Sequence, residues 1–294
     1  MLGSALGAAD GAIVTHESQF KIALLQNIES NRIDCSAASI YDFVARNPKF
    51  QALWQFSPTP RVSEGRTIET AREVLFDIVE QYAAVVGRAP WRVWVDHTPN
   101  NIRHICDLLE LCPDAKFIHL VRDGRAIAAS VLPLAWGPND VLSAGKWWVD
   151  QVGHGCAAEL RFPDRVVRVR YEDLVSDPEM TLGRICEFVG LRFSRRMVDA
   201  NALPIPAYTK NQHLLVGSAL DSRRISAWRA RLSNREVELF EHHAGDMLKI
   251  LGYDRVSHPG EHPLTVSDKV FLGLSSAIRH MVNRHRIRAR TTRA

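Results

Sequence analysis

Between residues 67 and 86 apolar side chains return every three or four positions: Ile68, Ala71, Val74, Leu75, Ile78, Tyr82 and Val85. That spacing gathers them on one side of a helix and predicts that this side is buried. Gly87, which tolerates a left-handed backbone, is a natural stop. Trp91 to Val95 then forms a short β-prone run ending at Asp96. Thr98-Pro99 offers an N-cap followed by proline at the first helical position, so a strand running into a helix is expected. The helix from Pro99 carries Ile102, Ile105, Leu108 and Leu109 and stops near Pro113. Phe117 to Val121 predicts a second strand, and Arg122-Asp123-Gly124 turns the chain into a helix with Ile127, Ala128 and Val131. After a long amphipathic segment, Val166 to Val169 predicts a third strand. Strands alternating with helices imply an α/β fold with a parallel sheet covered on both faces.

The second half is more helical. Ser176-Asp177-Pro178-Glu179 and Ser233-Asn234-Arg235-Glu236 both fit the capping-box pattern. They should open helices containing Ile185, Phe188 and Val189, and Val237, Phe240 and Leu248. Pro204 to Gly217 is the best candidate for a long loop, and long loops in compact domains often carry function. No internal repeat interrupts the pattern.

Composition adds boundaries. With 294 residues, 46% hydrophobic and 24% charged, the chain can bury a substantial core in one large domain or two modest ones. No apolar run reaches the roughly 18 residues of a membrane span, and no charged segment with an apolar core follows Met1, so a cytoplasmic protein is the simplest expectation. Cys35, Cys106, Cys112, Cys156 and Cys186 are scattered, without a CxxC pair, which argues against a disulfide framework or a zinc site. Cys106 and Cys186 fall in apolar helical patterns and read as buried thiols. The net charge of +4 is uneven: after Asp268 come Lys269 and six arginines with no carboxylate, so the rest of the chain is net negative.

In open parallel sheets, ligands bind beyond the carboxyl ends of the strands, where helix N-termini offer unpaired N–H groups. Asp96-His97-Thr98-Pro99 and Arg122-Asp123-Gly124-Arg125 fall at such places. Arg122 can present a forked guanidinium to a phosphate, and Ser130, eight residues on, could add its hydroxyl from a similar face. On spacing alone, Arg122 could equally pair with Asp123 or Asp96, with Ser130 an ordinary helix residue. Ser143-Ala144-Gly145-Lys146-Trp147 lacks Walker-loop spacing, and Trp147 and Trp148 beside it read as helix packing.

The run from Lys116 through Val121-Arg122-Asp123-Gly124-Arg125 to Ser130 resembles the 3′-phosphate-binding signature of sulfotransferases that use 3′-phosphoadenosine-5′-phosphosulfate (PAPS). Trp94-Val95-Asp96-His97-Thr98-Pro99 is similar to that family's DKTP-like segment, Val169-Arg170-Tyr171-Glu172-Asp173-Leu174 to its RYEDL segment, and residues 222 to 232 to its late nucleotide-closing loop. The likeness covers most of residues 1 to 252. It implies a P-loop-NTPase-like α/β domain over 1–252, followed over 253–294 by a linker and a basic amphipathic helix. It also implies PAPS as co-substrate, no metal, and transfer of a sulfuryl group to a hydroxyl or amine of a sugar, lipid, small metabolite or peptide tyrosine. Arg122 and Ser130 would then hold the 3′-phosphate, with Tyr171, Ser222 and Trp228 also on the nucleotide. Glu17 aligns with the catalytic base of the tyrosylprotein-sulfotransferase-like branch; capping or solubilising the helix that begins near Ser18 is its bland alternative. His97 stands where the family usually has lysine, so its charge would depend on pH near neutrality. His16 and His97 are the other candidates for the base.

The family's first strand and glycine-rich phosphosulfate loop have no counterpart in the sequence; residues 1–7 resemble the helix after that loop, and Ala12 to Val14 the strand after the helix. A chain starting at an internal methionine, through a misplaced start codon or genuine truncation, is therefore expected, with transfer impaired if the loop is truly absent. The alternative is a non-catalytic nucleotide-binding relic. A P-loop kinase would need a lysine-bearing loop and a magnesium-binding residue that the sequence does not show. In the tail, Val270, Phe271, Leu274, Ile278, Met281 and Val282 form one helical stripe. It suits a helix docked on its own domain or on a second subunit, the plainer reading, or one lying on an anionic membrane surface. No aromatic interleaving or motif supports nucleic-acid binding.

Overall fold

The computed structural model describes residues 1–63, 65–199, 223–257 and 265–291. Its elements run α1 (Leu2–Gly7), β1 (Ala12–Val14), α2 (Phe20–Glu29), α3 (Ala37–Ala45), α4 (Pro48–Trp54), α5 (Ile68–Val85), β2 (Val93–Val95), α6 (Ile105–Leu111), β3 (Phe117–Val121) and α7 (Gly124–Val131). There follow α8 (Val141–Arg161), β4 (Val166–Arg170), α9 (Tyr171–Ser176), α10 (Pro178–Val189), α11 (Arg223–Ser226), α12 (Asn234–Ile250) and α13 (Val266–Thr291). The chain clusters into two compact units, with boundaries that include positions inside β3, α8 and β4. One unit holds Met1–His119, Ala158–Val167 and Asp177–Ala219; the other holds Leu120–Ala157, Arg168–Ser176 and Leu220–Ala294.

In the first unit β1 pairs parallel with β2, in the register Ala12↔Val93, Ile13↔Trp94 and Val14↔Val95. A parallel pair needs a long crossover, and α2 to α5 supply it. The longest of these, α5, follows the pattern that predicted it. Thr67 and Thr70 cap it reciprocally, and Ala71, Val74 and Ile78 are fully buried. Gly87 at φ +67° lets the Arg88 N–H reach the Ala83 carbonyl at 2.7 Å. Phe20, Phe50 and Trp54 pack edge-on and stacked beside this helix. Each such buried side chain contributes about 1.5–3 kcal/mol. Gly7 is required where α1 meets β1, because a Cβ there would lie 2.3 Å from Val14 Cγ1.

β3 pairs with β4, the Phe117 N–H donating to the Arg165 carbonyl at 2.7 Å. In the second unit α7, α8 and α12 surround a core that includes Trp148, Trp228, Phe240 and Leu248. Ser233 opens α12 with the capping box expected of it.

Several local expectations change. The helix from Pro99 is a 3₁₀ turn over Pro99–Arg103 followed by α6, because Thr98 does not cap it. The Thr98 hydroxyl donates to Asp96 Oδ1 at 2.6 Å, and its oxygen accepts the Ser18 N–H at 2.8 Å instead of an N–H of the turn. At α10 the cap sits one residue later than the pattern placed it: Asp177 accepts the Met180 N–H at 3.0 Å, and Ser176 ends α9. Cys186 is buried as expected, but Cys106 is exposed, since α6 buries Ile105, Leu108 and Leu111 on its other side. Trp148 packs in the core, whereas Trp147 is exposed. The tail is a helix as the stripe implies, but that stripe is not the side that docks. Val270, Leu274, Ile278, Met281 and Val282 are exposed, while Leu272 and Asn283 are buried. Pro204 to Gly217 lies outside the described residues.

Candidate functional site: the loops after β2 and β3

The loop after β3 is positioned by its core. Gly124 allows close packing: a Cβ there would come within 2.6 Å of both Trp148 and Phe240. The Trp148 indole N–H donates to the Arg122 carbonyl at 3.2 Å, and Asp123 caps α7 by accepting the Arg125 N–H at 2.9 Å. Asp123 also takes the Arg125 side chain in a fork, Nε at 3.0 Å and Nη2 at 2.8 Å. Arg125 Nη1 reaches Glu241 Oε1 at 2.6 Å. Burial works against the Arg125 charge, but Asp123 and Glu241 outweigh it and raise its pKa. Glu241 is stabilised as a carboxylate in the same way: burial would raise its pKa, yet Ser257, the Val256 N–H and Arg125 bring it down. Glu172 accepts the Asp123 N–H at 3.1 Å and the Tyr253 hydroxyl at 2.8 Å. Burial first, and the Glu172 charge second, push the Tyr253 pKa up.

Arg122 stands apart from this satisfied network. Its guanidinium carbon lies 4.3 Å from the centre of the Tyr171 ring, and Nη2 donates to the Arg224 carbonyl at 3.1 Å. Its Nε is buried with no hydrogen-bond partner. No carboxylate among the described residues pairs with it. Asp123 is engaged by Arg125, and Asp96 by Lys21, so neither partner proposed by spacing neutralises Arg122. An orphaned cationic donor backed by an aromatic ring suits an anionic oxygen ligand, and the 3′-phosphate of PAPS fits this description. Ser130 lies exposed in the last turn of α7. Trp228 is buried, with the guanidinium carbons of Arg125 and Arg229 at 4.3 and 4.5 Å from its ring centre. Ser222 lies outside the described residues.

The loop after β2 is organised around Asp96. One oxygen takes the Thr98 N–H at 3.0 Å and the Thr98 hydroxyl at 2.6 Å. The other takes the Ser18 hydroxyl at 2.7 Å, Asn101 Nδ2 at 3.1 Å and the Lys21 ammonium. Lys21 also donates to Ser18 Oγ at 2.8 Å and Asn101 Oδ1 at 2.9 Å. Burial opposes ionisation of Asp96, but Lys21 and the hydroxyls win and hold its pKa below the ordinary value. Sequence reasoning missed Lys21, although a lysine inside Phe20-Lys21-Ile22-Ala23-Leu24-Leu25 is a polar residue on an apolar stretch, which implies a buried partner.

Glu17 sits half-buried between β1 and α2. Its carboxylate accepts Gln19 Nε2 at 2.9 Å, and its carbonyl accepts the Trp54 indole at 3.4 Å. It therefore does not cap α2, whose N-cap is Gln19 without a side-chain bond. His16 meets Tyr82 edge-on, and its pKa is lowered first by burial and second by the neighbouring His97. His97 is exposed and lies beside α1, where a Cβ on Gly3 would be 3.3 Å from its ring.

A chain built this way is an α/β protein with a strand-end loop that leaves an arginine free for an anion. Its fold is that of sulfotransferase domains. The sulfotransferase domain of the Synechococcus PCC 7002 olefin synthase superposes with a TM-score of 0.55 at 21% identity, covering 86% of this chain and 90% of that one. The sulfotransferase domain from the curacin biosynthetic pathway gives 0.54 at 13% identity, covering 86% and 93%. The pattern of the Sulfotransferase family matches residues 30–195, and the chain belongs to that family. Among curated relatives, mouse carbohydrate sulfotransferase 2 is 27% identical over 193 residues, 50% of this chain and 36% of the mouse protein. A putative protein-tyrosine sulfotransferase of Caenorhabditis briggsae is 24% identical over 170 residues, 55% and 60% of the two chains. The omega-hydroxy-beta-dihydromenaquinone-9 sulfotransferase Stf3 of Mycobacterium bovis is 33% identical over 141 residues, 43% and 35%. The chain thus spans about a third of the mouse relative's length.

Proposed function

We propose that this sulfotransferase uses PAPS as donor and that Arg122 holds the 3′-phosphate. The observation that carries this reading is the buried, unpartnered Nε of Arg122 beside an Asp123 already neutralised by Arg125. Tyr171 keeps the guanidinium plane in place from one side, and the Ser130 hydroxyl supplies a second donor from α7. PAPS contributes the sulfuryl group, which leaves its phosphate oxygen as a new S–O or S–N bond forms to the acceptor. Such a transfer depends mainly on alignment and on donors that meet the developing charge.

Glu17 is the base in this reading. Its carboxylate is oriented by Gln19 and would take the acceptor's proton as the bond to sulfur forms. His97 would donate to the leaving oxygen, a role that strengthens when the ring is protonated. The acceptor belongs to the chemistry named for the relatives, a hydroxyl on a carbohydrate, a protein tyrosine or a hydroxylated menaquinone.

Calorimetric titration with adenosine 3′,5′-bisphosphate tests the assignment. Arg122→Ala is expected to weaken binding by about a hundred-fold, the loss of two charge-assisted hydrogen bonds, and Ser130→Ala by about ten-fold. Equal affinity in wild type and Arg122→Ala would sink the reading. Tight bisphosphate binding without PAPS turnover would instead select a nucleotide-binding protein that does not perform the transfer.

A further inference from the structure

We infer that α13 docks a lipid surface: its exposed apolar stripe lies on an anionic membrane face, with the arginine-rich end of the helix against the headgroups. A helix advances about 100° per residue, so positions four and seven apart share a side. Leu272 and Asn283 are buried, and Ser276 and Arg279 half-buried, all at this spacing. They form the side that meets the second unit. Leu272 joins its core, Arg279 Nη1 donates to the Leu132 carbonyl at 3.1 Å, and Asn283 Nδ2 reaches Asn139 Oδ1 at 3.3 Å. The N-terminal end is fixed by Thr265, whose oxygen accepts the Asp268 N–H at 3.1 Å, and by Asp268, whose carboxylate accepts the Thr265 N–H at 2.9 Å and pairs with Arg235.

Val270, Leu274, Ile278 and Met281 fall about half a turn away from that docked side. They are 55%, 61%, 63% and 72% exposed, and Val266 extends the row at 77%. From Val266 to Met281 the row is about 24 Å long. A helix held to its unit by a mixed polar side, with its aliphatic side turned out, is the reverse of the usual arrangement and needs an apolar environment to cover it. Charge selects the occupant. Lys269 and arginines 279, 284, 286, 288, 290 and 293 follow Asp268 with no acidic residue among them. A run of like positive charge repels a second copy of itself and is drawn to anionic headgroups. No helix among the described residues is long and apolar enough to cross a membrane, which fits a helix lying in the interface.

Co-sedimentation of the full chain with vesicles tests this, comparing phosphatidylcholine alone with phosphatidylcholine plus phosphatidylserine. Binding is expected to the anionic vesicles, to weaken with added salt, and to fall about a hundred-fold in Leu274→Asp/Ile278→Asp. Both positions are exposed, so the variant should keep wild-type circular dichroism and melting. A second variant, Arg284→Gln/Arg288→Gln, at positions three and seven after Met281 and so in register with the aliphatic row, should lose the preference for anionic vesicles while that row is intact. The inference is overturned if wild type stays in the supernatant with anionic vesicles, or if Leu274→Asp/Ile278→Asp sediments as wild type does. A wild-type dimer in light scattering that the same variant dissociates, without vesicle binding, would assign the row to a second copy instead.

Discussion

The loops after β2 and β3 begin alike, each leaving a strand end with an aspartate and entering a helical turn, yet they use their polar groups in opposite ways. After β2, four side chains are turned onto one carboxylate: Lys21, Ser18, Thr98 and Asn101 all donate to Asp96, with His97 left exposed beside them. After β3, Asp123 and Arg125 satisfy one another and leave Arg122 with an unfilled donor. A closed network holds a loop in one shape, while an open valence next to a closed one gives a place for a ligand. Charge content alone would not have separated the two.

Removing the buried cation should separate the loops most sharply. Arg125→Met takes the paired cation from both Asp123 and Glu241, although Glu241 keeps donors from Val256 and Ser257, and is expected to cost about 5 kcal/mol, the upper end for breaking a buried pair. Chemical denaturation followed by near-ultraviolet circular dichroism of the Trp148 and Trp228 environments would measure it. Lys21→Met strands only Asp96, which keeps donors from Ser18, Thr98 and Asn101, so about 3 kcal/mol is expected. A loss larger than that of Arg125→Met would break the comparison. The same substitution has a pH signature. The folded pKa of Asp96 lies below the ordinary 3.8, so its contribution is fully present above that value and is lost as pH falls through the folded value. Acid titration of stability should flatten in Lys21→Met. Tyr253→Phe removes one donor from buried Glu172 and should cost about 2 kcal/mol. The smallest change is expected for Arg122→Ala, within about 1 kcal/mol in the same denaturation assay, because little in the protein depends on that guanidinium.

What could be read from the sequence was local. The stripe of α5, the apolar run of β3 and the Ser233 capping box each depend on residues within a few positions of one another, and each formed as expected. Arg122 and Tyr171 were marked by motif resemblance, and the structure brings them together. Partner choice was not legible. Asp96 is matched with Lys21 across 75 residues, and Arg125 with Glu241 across 116, and such pairings are fixed by packing rather than spacing. Thr98 shows a local rule overridden: a threonine before proline normally caps a helix through its oxygen, but that oxygen accepts the Ser18 N–H from 80 residues away while the hydroxyl proton goes to Asp96. In α13 the apolar pattern predicted the helix, but of its readings the one that docks the stripe on its own domain did not form, because Leu272 and Asn283 anchor the opposite side.

The bond from the Trp148 indole to the Arg122 carbonyl ties a fluorophore directly to the backbone of the proposed phosphate-binding residue. An indole whose N–H is held by a carbonyl emits at a wavelength set by the local field. An anion arriving on the Arg122 guanidinium alters that field. The difference spectrum between the wild-type protein and Trp148→Phe, recorded with and without nucleotide, should therefore report occupancy of the loop without any added label.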